Sequence, residues 1–123
     1  MPWTLNSERP IYAQIIERIQ LEIISGHYSP GAKIPSVRDL ASEAAVNPNT
    51  MQKALTELEK TGLVSSKRTS GRYITEDVLM IQSTKKKIAT DYINEFLDRI
   101  KQLGFEKEEI VELILQLSRE DET

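Results

Sequence analysis

The sequence predicts a mostly helical fold with one small β-hairpin, in which a winged helix-turn-helix domain is followed by a two-helix extension. Two short amphipathic helices are joined by a tight connection, and a hairpin pattern follows the second of them directly. The remaining residues carry an apolar helical periodicity that a single glycine divides in two. We expect the first domain to cover residues 1–77 and the extension to cover residues 78–123.

The composition narrows the class of protein. A length of 123 residues fits one domain or a small domain with an appendage. The chain has no cysteine, which excludes disulfides, thiolate catalysis and cysteine-ligated zinc. The first residues lack the pattern of a signal peptide, and no apolar run is long enough to span a membrane. We therefore expect a cytoplasmic protein without membrane contact, metal or cofactor.

The first predicted helix begins at Pro10, because a helix does not need the missing N–H group at its first position. Gly26 ends this helix, and residues 29–31 form a turn. Its apolar face consists of Tyr12, Ile15, Ile16, Ile19 and Ile23.

The next two helices form the predicted helix-turn-helix. Ser36 is the N-cap of the second helix, which ends near Ala45. Asn47 caps the third helix, Pro48 begins it and Gly62 ends it. The apolar stripes are Val37, Leu40, Ala41 and Ala44 in the second helix, and Met51, Ala54, Leu55 and Leu58 in the third.

The exposed face of the third helix is polar and carries no acid, because Glu57 and Glu59 fall on its flanks. Asparagine and glutamine can bind adenine through two hydrogen bonds, and lysine can bind guanine or phosphate. The face therefore favours docking in a DNA major groove. Its members are Asn49, Gln52, Lys53, Thr56 and Lys60.

Neighbouring positions supply further candidate contacts. Asn47 and Thr50 can bind phosphate beside the free N–H groups of the helix start. Arg38, in the first turn of the second helix, is placed for a phosphate or a guanine. We interpret residues 85–87, three consecutive lysines, as a solvated stretch of helix, with a second phosphate contact as the alternative.

The hairpin is the predicted wing, with strands over residues 63–67 and 72–75 and a turn over residues 68–71. A basic turn of small residues can lie on the DNA backbone or enter a minor groove. The candidate contacts on this wing are Lys67, Arg68, Thr69, Ser70, Gly71 and Arg72.

The excess of acidic residues in the chain lies outside this domain. The net charge is −3, but residues 1–77 carry nine basic and nine acidic residues, and residues 78–123 carry seven and ten. The global charge therefore does not argue against DNA as the partner.

The extension is predicted to form a dimer. It is helical from Val78 to Gly104 and again over residues 106–119, and we expect residues 120–123 to fray. The last helix is apolar over most of its girth, which requires burial on several sides. A two-fold dimer supplies that burial and presents two third helices to an inverted-repeat operator. The candidate interface residues are Tyr92, Phe96, Ile100, Leu103, Ile110, Leu113, Ile114 and Leu117.

Two other functions compete with DNA binding. An enzyme is disfavoured because His27 is the single histidine and Ser65 and Ser66 have no neighbouring base, so we predict no catalytic residue. A winged helix that binds a protein is the alternative, since fold alone does not decide function. An unknown small-molecule effector also stays open, and residues 78–87 would then be the switching element.

Several motifs together resemble the GntR family of bacterial transcription regulators. They are PIYAQI at residues 10–15, IPSVRDLA at 34–41, VNPNT at 46–50 and GLV at 62–64. The resemblance covers roughly residues 8–75. It implies DNA contacts at Arg38, Asn47, Pro48, Asn49, Thr50 and Gln52 and at wing residues 69–71.

The chain departs from the family pattern at two places. Pro48 and Gln52 stand where some relatives have arginine, which implies a different operator, and residues 69–71 read Thr-Ser-Gly instead of Gly-x-Gly. The extension resembles the YtrA subfamily, which implies dimerisation and repression of a transporter operon. The residues after the wing are too few for the large ligand-binding or aminotransferase-like domain of other branches.

Overall fold

The structure is a computed structural model that describes residues 3–68 and 70–121, and it confirms the predicted fold class. Thr69 of the predicted wing and residues 122–123 of the predicted tail lie outside the described residues. Glu120 and Asp121, which were expected to fray, are helical. The elements are α1 (Ile11–Ile24), α2 (Val37–Ala44), α3 (Pro48–Thr61), β1 (Val64–Lys67), β2 (Gly71–Ile74), α4 (Val78–Lys101) and α5 (Lys107–Asp121).

The chain forms two compact units, and the division falls inside α4, between Lys85 and Lys86. The sequence had suggested a division before α4. The difference arises because Ile81 is buried in the core of the first unit and Met80 packs against that core. The methyl carbon of Met80 lies 2.9 Å from the place that a Cβ on Gly62 would occupy. The first turns of α4 therefore belong to the first unit.

The core of the first unit is built by α1, α2, α3 and the base of the hairpin. The apolar stripes predicted for α2 and α3 face inward, and Met51, Leu55 and Leu58 have no exposed surface. Burial of such side chains contributes roughly 1.5–3 kcal/mol each. This core fixes α3 in place, with its polar face turned to solvent.

Both predicted side-chain caps are present at the helix-turn-helix. The Ser36 hydroxyl accepts a hydrogen bond from the Asp39 N–H at 3.1 Å. The Asn47 side chain accepts one from the Asn49 N–H at 2.7 Å. Between the helices, Ala45 adopts a left-handed conformation with φ 59°, which turns the chain sharply from α2 toward α3.

The segment before α1 is part of the fold. Trp3 is only 6% exposed and belongs to the core, and its indole N–H donates to Glu43 of α2 at 3.3 Å. The buried side chain of Gln14 accepts from the Asn6 N–H at 3.0 Å and donates to the Asn6 and Arg9 carbonyls at 2.8 and 3.1 Å. These bonds hold residues 3–9 against α1 and α2.

A third segment extends the hairpin. β1 and β2 pair antiparallel, with Lys67 opposite Gly71 and Ser65 opposite Tyr73. Lys33 forms an isolated bridge with Tyr73 on the other side of β2. Backbone bonds from Ile74 N–H to Ala32 O at 2.8 Å and from Ile34 N–H to Arg72 O at 3.0 Å flank this bridge. The wing therefore begins before α2, which the sequence pattern did not predict.

The second unit contains most of α4 and all of α5. Many of its large apolar side chains are exposed in the single chain, including Tyr92, Phe96 and Leu103 at 56%, 41% and 71%. Ile110, also predicted at the dimer interface, is only 2% exposed, so it is already buried within the single chain. Among the described residues, no helix is both long and apolar enough to cross a membrane.

Candidate nucleic-acid interface

The exposed face of α3 carries the predicted polar side chains. Asn49, Gln52 and Lys53 are all exposed, and Thr50 is half-buried. The Thr56 hydroxyl donates to the Gln52 carbonyl at 2.9 Å, one turn back along the helix. The first two turns of α3 therefore present two side-chain amides and one ammonium group to solvent.

Asn47 and Pro48 have restricted roles at the start of α3. The Asn47 side-chain oxygen is occupied by the Asn49 N–H, so only its NH₂ group could donate to a phosphate. Pro48 has no N–H to offer an anion. Of the two, only Asn47 retains a polar side-chain donor.

The acids beside this face are paired with cations of the same unit. Glu57 accepts from Lys60 at 3.0 Å. Glu59 accepts from the Ser66 hydroxyl and from Arg72 Nε, the latter at 2.6 Å. The Ser66 hydrogen bond, followed by Arg72, lowers the pKa of Glu59, although burial acts in the opposite direction. Both carboxylates are thus partly neutralised before any duplex approaches.

Arg72, a predicted DNA contact, is paired with an acid of the same unit. Its side chain is 16% exposed and its Nε group is bound to Glu59 of α3. Strand register explains this, because Arg72 lies opposite Ser66 on the face of the hairpin that meets α3. Arg72 thus ties the hairpin to α3, and its contact with DNA stays a prediction.

A cleft separates the start of α2 from the wing. Its volume is about 870 Å³ and it is open to solvent. Arg38 and Ser36 line it on the α2 side, and Ser70 and Gly71 line it on the wing side. The structure thus brings Arg38 and the wing, which are far apart in sequence, to two walls of one groove.

Lys33 is a cation at this cleft that the sequence reasoning missed. It is exposed and lines the same groove. Its Cε atom lies 3.1 Å from the place that a Cβ on Gly71 would occupy, and Gly71 has φ 110°. A side chain at Gly71 would therefore be strained and would push Lys33 aside. Little in the sequence indicated this role, because Lys33 lies between a turn and Pro35, outside any helical or strand pattern.

Two lysines of the candidate interface lie over tyrosine rings. Lys53 Nζ is 4.0 Å from the ring centroid of Tyr12 on α1. Lys67 Nζ is 4.4 Å from the ring centroid of Tyr73 on β2. Arg68 and Ser70 are exposed at the described part of the tip.

An exposed, acid-free face on the second helix of a helix-turn-helix, followed by a basic hairpin, defines a winged-helix DNA-binding protein. The model of the family described as bacterial regulatory proteins, gntR family, matches residues 11–74. The chain therefore belongs to the GntR family of transcription regulators.

Relatives support this assignment over nearly the whole chain. The HTH-type transcriptional repressor YtrA of Bacillus subtilis is 34% identical, over 92% of this chain and 88% of YtrA. A GntR family transcriptional regulator from Listeria monocytogenes is similar in structure, with a TM-score of 0.86 and 38% identity over 91% of this chain and 98% of that one.

Several similar structures are complexes of AraR with operator DNA. AraR(DBD) in complex with operator ORE1 matches with a TM-score of 0.53 and 32% identity, over 61% of this chain and 94% of that chain. The chain is accordingly a helix-turn-helix transcription regulator of this family.

Proposed function

We propose that this protein is a repressor that binds an inverted-repeat operator as a homodimer. The observation that carries the proposal is the exposed face of α3, which offers Asn49, Gln52 and Lys53 without an unpaired acid beside them. The likeness to YtrA, whose name describes a repressor, supports the direction of regulation.

The contacts divide into two classes. Asn49, Gln52 and Arg38 read base edges, because amides and guanidinium groups can form paired hydrogen bonds with adenine and guanine. Phosphate contacts, which position the protein without reading sequence, come from the start of α3, from the wing and from Lys33. They are Asn47, Thr50, Lys53, Lys33, Lys67, Arg68 and Ser70, with Pro48 and Gly71 as close backbone neighbours of the duplex. Thr69 also stays a proposed contact.

Residues 78–123 form the dimerisation region in this proposal. Exposed apolar side chains on α4 and α5 support it, because monomeric proteins rarely leave so many together in water. A two-fold axis would place the α3 helices of both protomers on successive half-sites, about 10 bp or a multiple of it apart. The proposed contacts are Tyr92, Phe96, Ile100, Leu103, Leu113, Ile114 and Leu117.

The resemblance to the YtrA subfamily supports a proposal for the regulated genes and the cellular setting. We propose a cytoplasmic regulator, without catalytic activity, that controls a transporter operon. A small-molecule effector, if one acts, would bias residues 78–87, which connect the DNA-binding unit to the rest of α4.

Selection of bound duplexes from a random pool, with the purified protein, tests the proposal. We expect a two-fold symmetric sequence and an affinity that falls steeply with added salt. Asn49→Ala and Gln52→Ala are each expected to relax preference at one base pair, while Ser42→Ala on the exposed side of α2 serves as a control. Recovery of no preferred sequence, with weak binding that ignores salt, would instead indicate a protein-interaction module.

A further inference from the structure

Cation–aromatic contacts are concentrated at the candidate DNA interface. In the part of the chain that the structure describes, two of three such contacts place an interface lysine over a tyrosine: Lys53 over Tyr12 at 4.0 Å and Lys67 over Tyr73 at 4.4 Å. The third places Arg18 over Trp3, and Arg18 also binds Glu22 at 2.9 Å. Among the ion pairs of the described residues, Arg18 therefore has a carboxylate partner as well as a ring, whereas Lys53 and Lys67 have only the ring.

A ring and a carboxylate hold a lysine in different ways. A carboxylate cancels the charge of the ammonium group, whereas an aromatic face attracts it through a quadrupole that carries no net charge. At Lys53 the acid one turn on is Glu57, which is 3.0 Å from Lys60. Tyr12 thus restrains the Lys53 side chain while its full positive charge stays available to an anion.

The hairpin achieves the same arrangement with strand register. Lys67 lies opposite Gly71, and Tyr73 is its diagonal neighbour on the same face of the sheet. Because Gly71 has no side chain, the ammonium group of Lys67 can cross to the Tyr73 ring. Lys53 lies on a helix and Lys67 on a strand, so two different local geometries place a lysine over a tyrosine ring.

We propose that Tyr12 and Tyr73 are positioning residues, which pre-order Lys53 and Lys67 for contact with DNA phosphates. The inference rests on the proposed function. A free lysine loses much of its rotamer freedom when it binds a phosphate, and a lysine already restrained by a ring loses less. The tyrosines therefore raise affinity without adding a contact of their own or reading any base.

A double-mutant cycle tests the proposal at Tyr12. The probe is a duplex selected from a random pool by the wild-type protein, and its affinity is measured across a salt series. Tyr12→Leu is expected to weaken binding about two- to fivefold with an unchanged salt slope, because Lys53 still neutralises its phosphate. Lys53→Met is expected to make the salt dependence of affinity shallower, by about the amount that one phosphate contact contributes. In the Lys53→Met background, Tyr12→Leu should have no further effect.

Two controls separate positioning from folding. Tyr12→Phe keeps the ring and should bind as the wild type does. Ile16→Ala changes another half-buried residue of α1 that packs on the same core, and it should act equally with and without Lys53. The same cycle applies to Tyr73 and Lys67.

The outcomes are distinct. An equal loss of affinity from Tyr12→Leu in the wild-type and Lys53→Met proteins would overturn the positioning role, and so would an equal loss from Tyr12→Phe and Tyr12→Leu. Either outcome would leave the proposed function standing. Wild-type binding without salt dependence would overturn the proposed function together with it. Coupling between Tyr12 and Lys53, with rescue by phenylalanine, supports the positioning role.

Discussion

Glu59 is the residue that links the recognition helix to the wing. Its carboxylate accepts from Ser66 on β1 and from Arg72 on β2, so one side chain of α3 holds both strands. These bonds favour the ionised form and lower the pKa of Glu59 below its ordinary value of 4.5. The wing is therefore tied to α3 in part through the charge of one carboxylate.

The first prediction concerns the dependence of folding on pH. Since the pKa of Glu59 is lower in the folded state, its contribution to stability is present above about pH 4.5 and is lost as the pH falls through the folded value. Thermal unfolding of the wild type and of Glu59→Gln should differ most near neutral pH and converge in acid. A difference that stays constant down to about pH 3 would contradict the linkage.

The second prediction separates reading from anchoring. Asn49→Ala should cost roughly 1–3 kcal/mol on the selected operator and relax one base position. Arg68→Ala should weaken every duplex alike and flatten the salt slope by about one unit. Titration of matched and mutated operators at several salt concentrations measures both. Uniform loss from Asn49→Ala would place it among the phosphate contacts.

Residue roles were predictable where they depend on helical spacing. The caps at Ser36 and Asn47 followed from residue type and position, and both are confirmed. The partners of Arg72 and Lys33 depend on how a strand meets a helix or another segment far away in sequence. The sequence pattern therefore predicted neither the pairing of Arg72 with Glu59 nor the place of Lys33 at the cleft.

At the scale of elements, the sequence predicted approximately where the helices begin and end. It did not predict the third segment of the wing. Helices α1, α3 and α4 each have an amphipathic stripe that is followed by a glycine, so the pattern alone located them. The segment around Lys33 forms only an isolated bridge, without the alternation that marks a strand. The start of α4 was assigned to the extension because its burial depends on the core of the other unit.

The third prediction concerns the turn between α2 and α3. Ala45 has φ 59°, a conformation that is unfavourable for a residue with a Cβ and acceptable for glycine. Ala45→Gly should raise the free energy of unfolding by about 0.5–1 kcal/mol, with operator affinity unchanged. Denaturant unfolding measures the effect, and Ala44→Gly, inside α2 and buried, is the destabilising control. Equal destabilisation by both substitutions would contradict the strain at Ala45.

At the scale of the whole molecule, charge and apolar surface are distributed between the two units. The first unit carries the basic groups of the candidate interface, and α4 and α5 carry most of the exposed apolar side chains. The sequence predicted an excess of apolar residues in α5, because no single face can hold them. Which of them face a partner could not be read from it, and Ile110 is already buried without one.

The fourth prediction tests the dimer. A charge at Phe96 or Ile114, which are 41% and 42% exposed, should prevent association because it would be buried without a partner. Light scattering should give a dimer for the wild type and a monomer for Phe96→Asp and Ile114→Asp. Leu79→Asp is the matched control, since Leu79 is 82% exposed and lies in the first unit. Dimers in all variants would place the interface elsewhere.

The buried indole of Trp3 has a consequence for how the smallest independently folding piece should be cut. The family match begins at residue 11, and a fragment started there would lose an indole from the core together with the partners of Gln14. At the other end, stopping at residue 74 would remove Ile81 from the same core. A fragment of residues 3–85 keeps both, so its cooperative melting should survive where that of residues 11–74 does not.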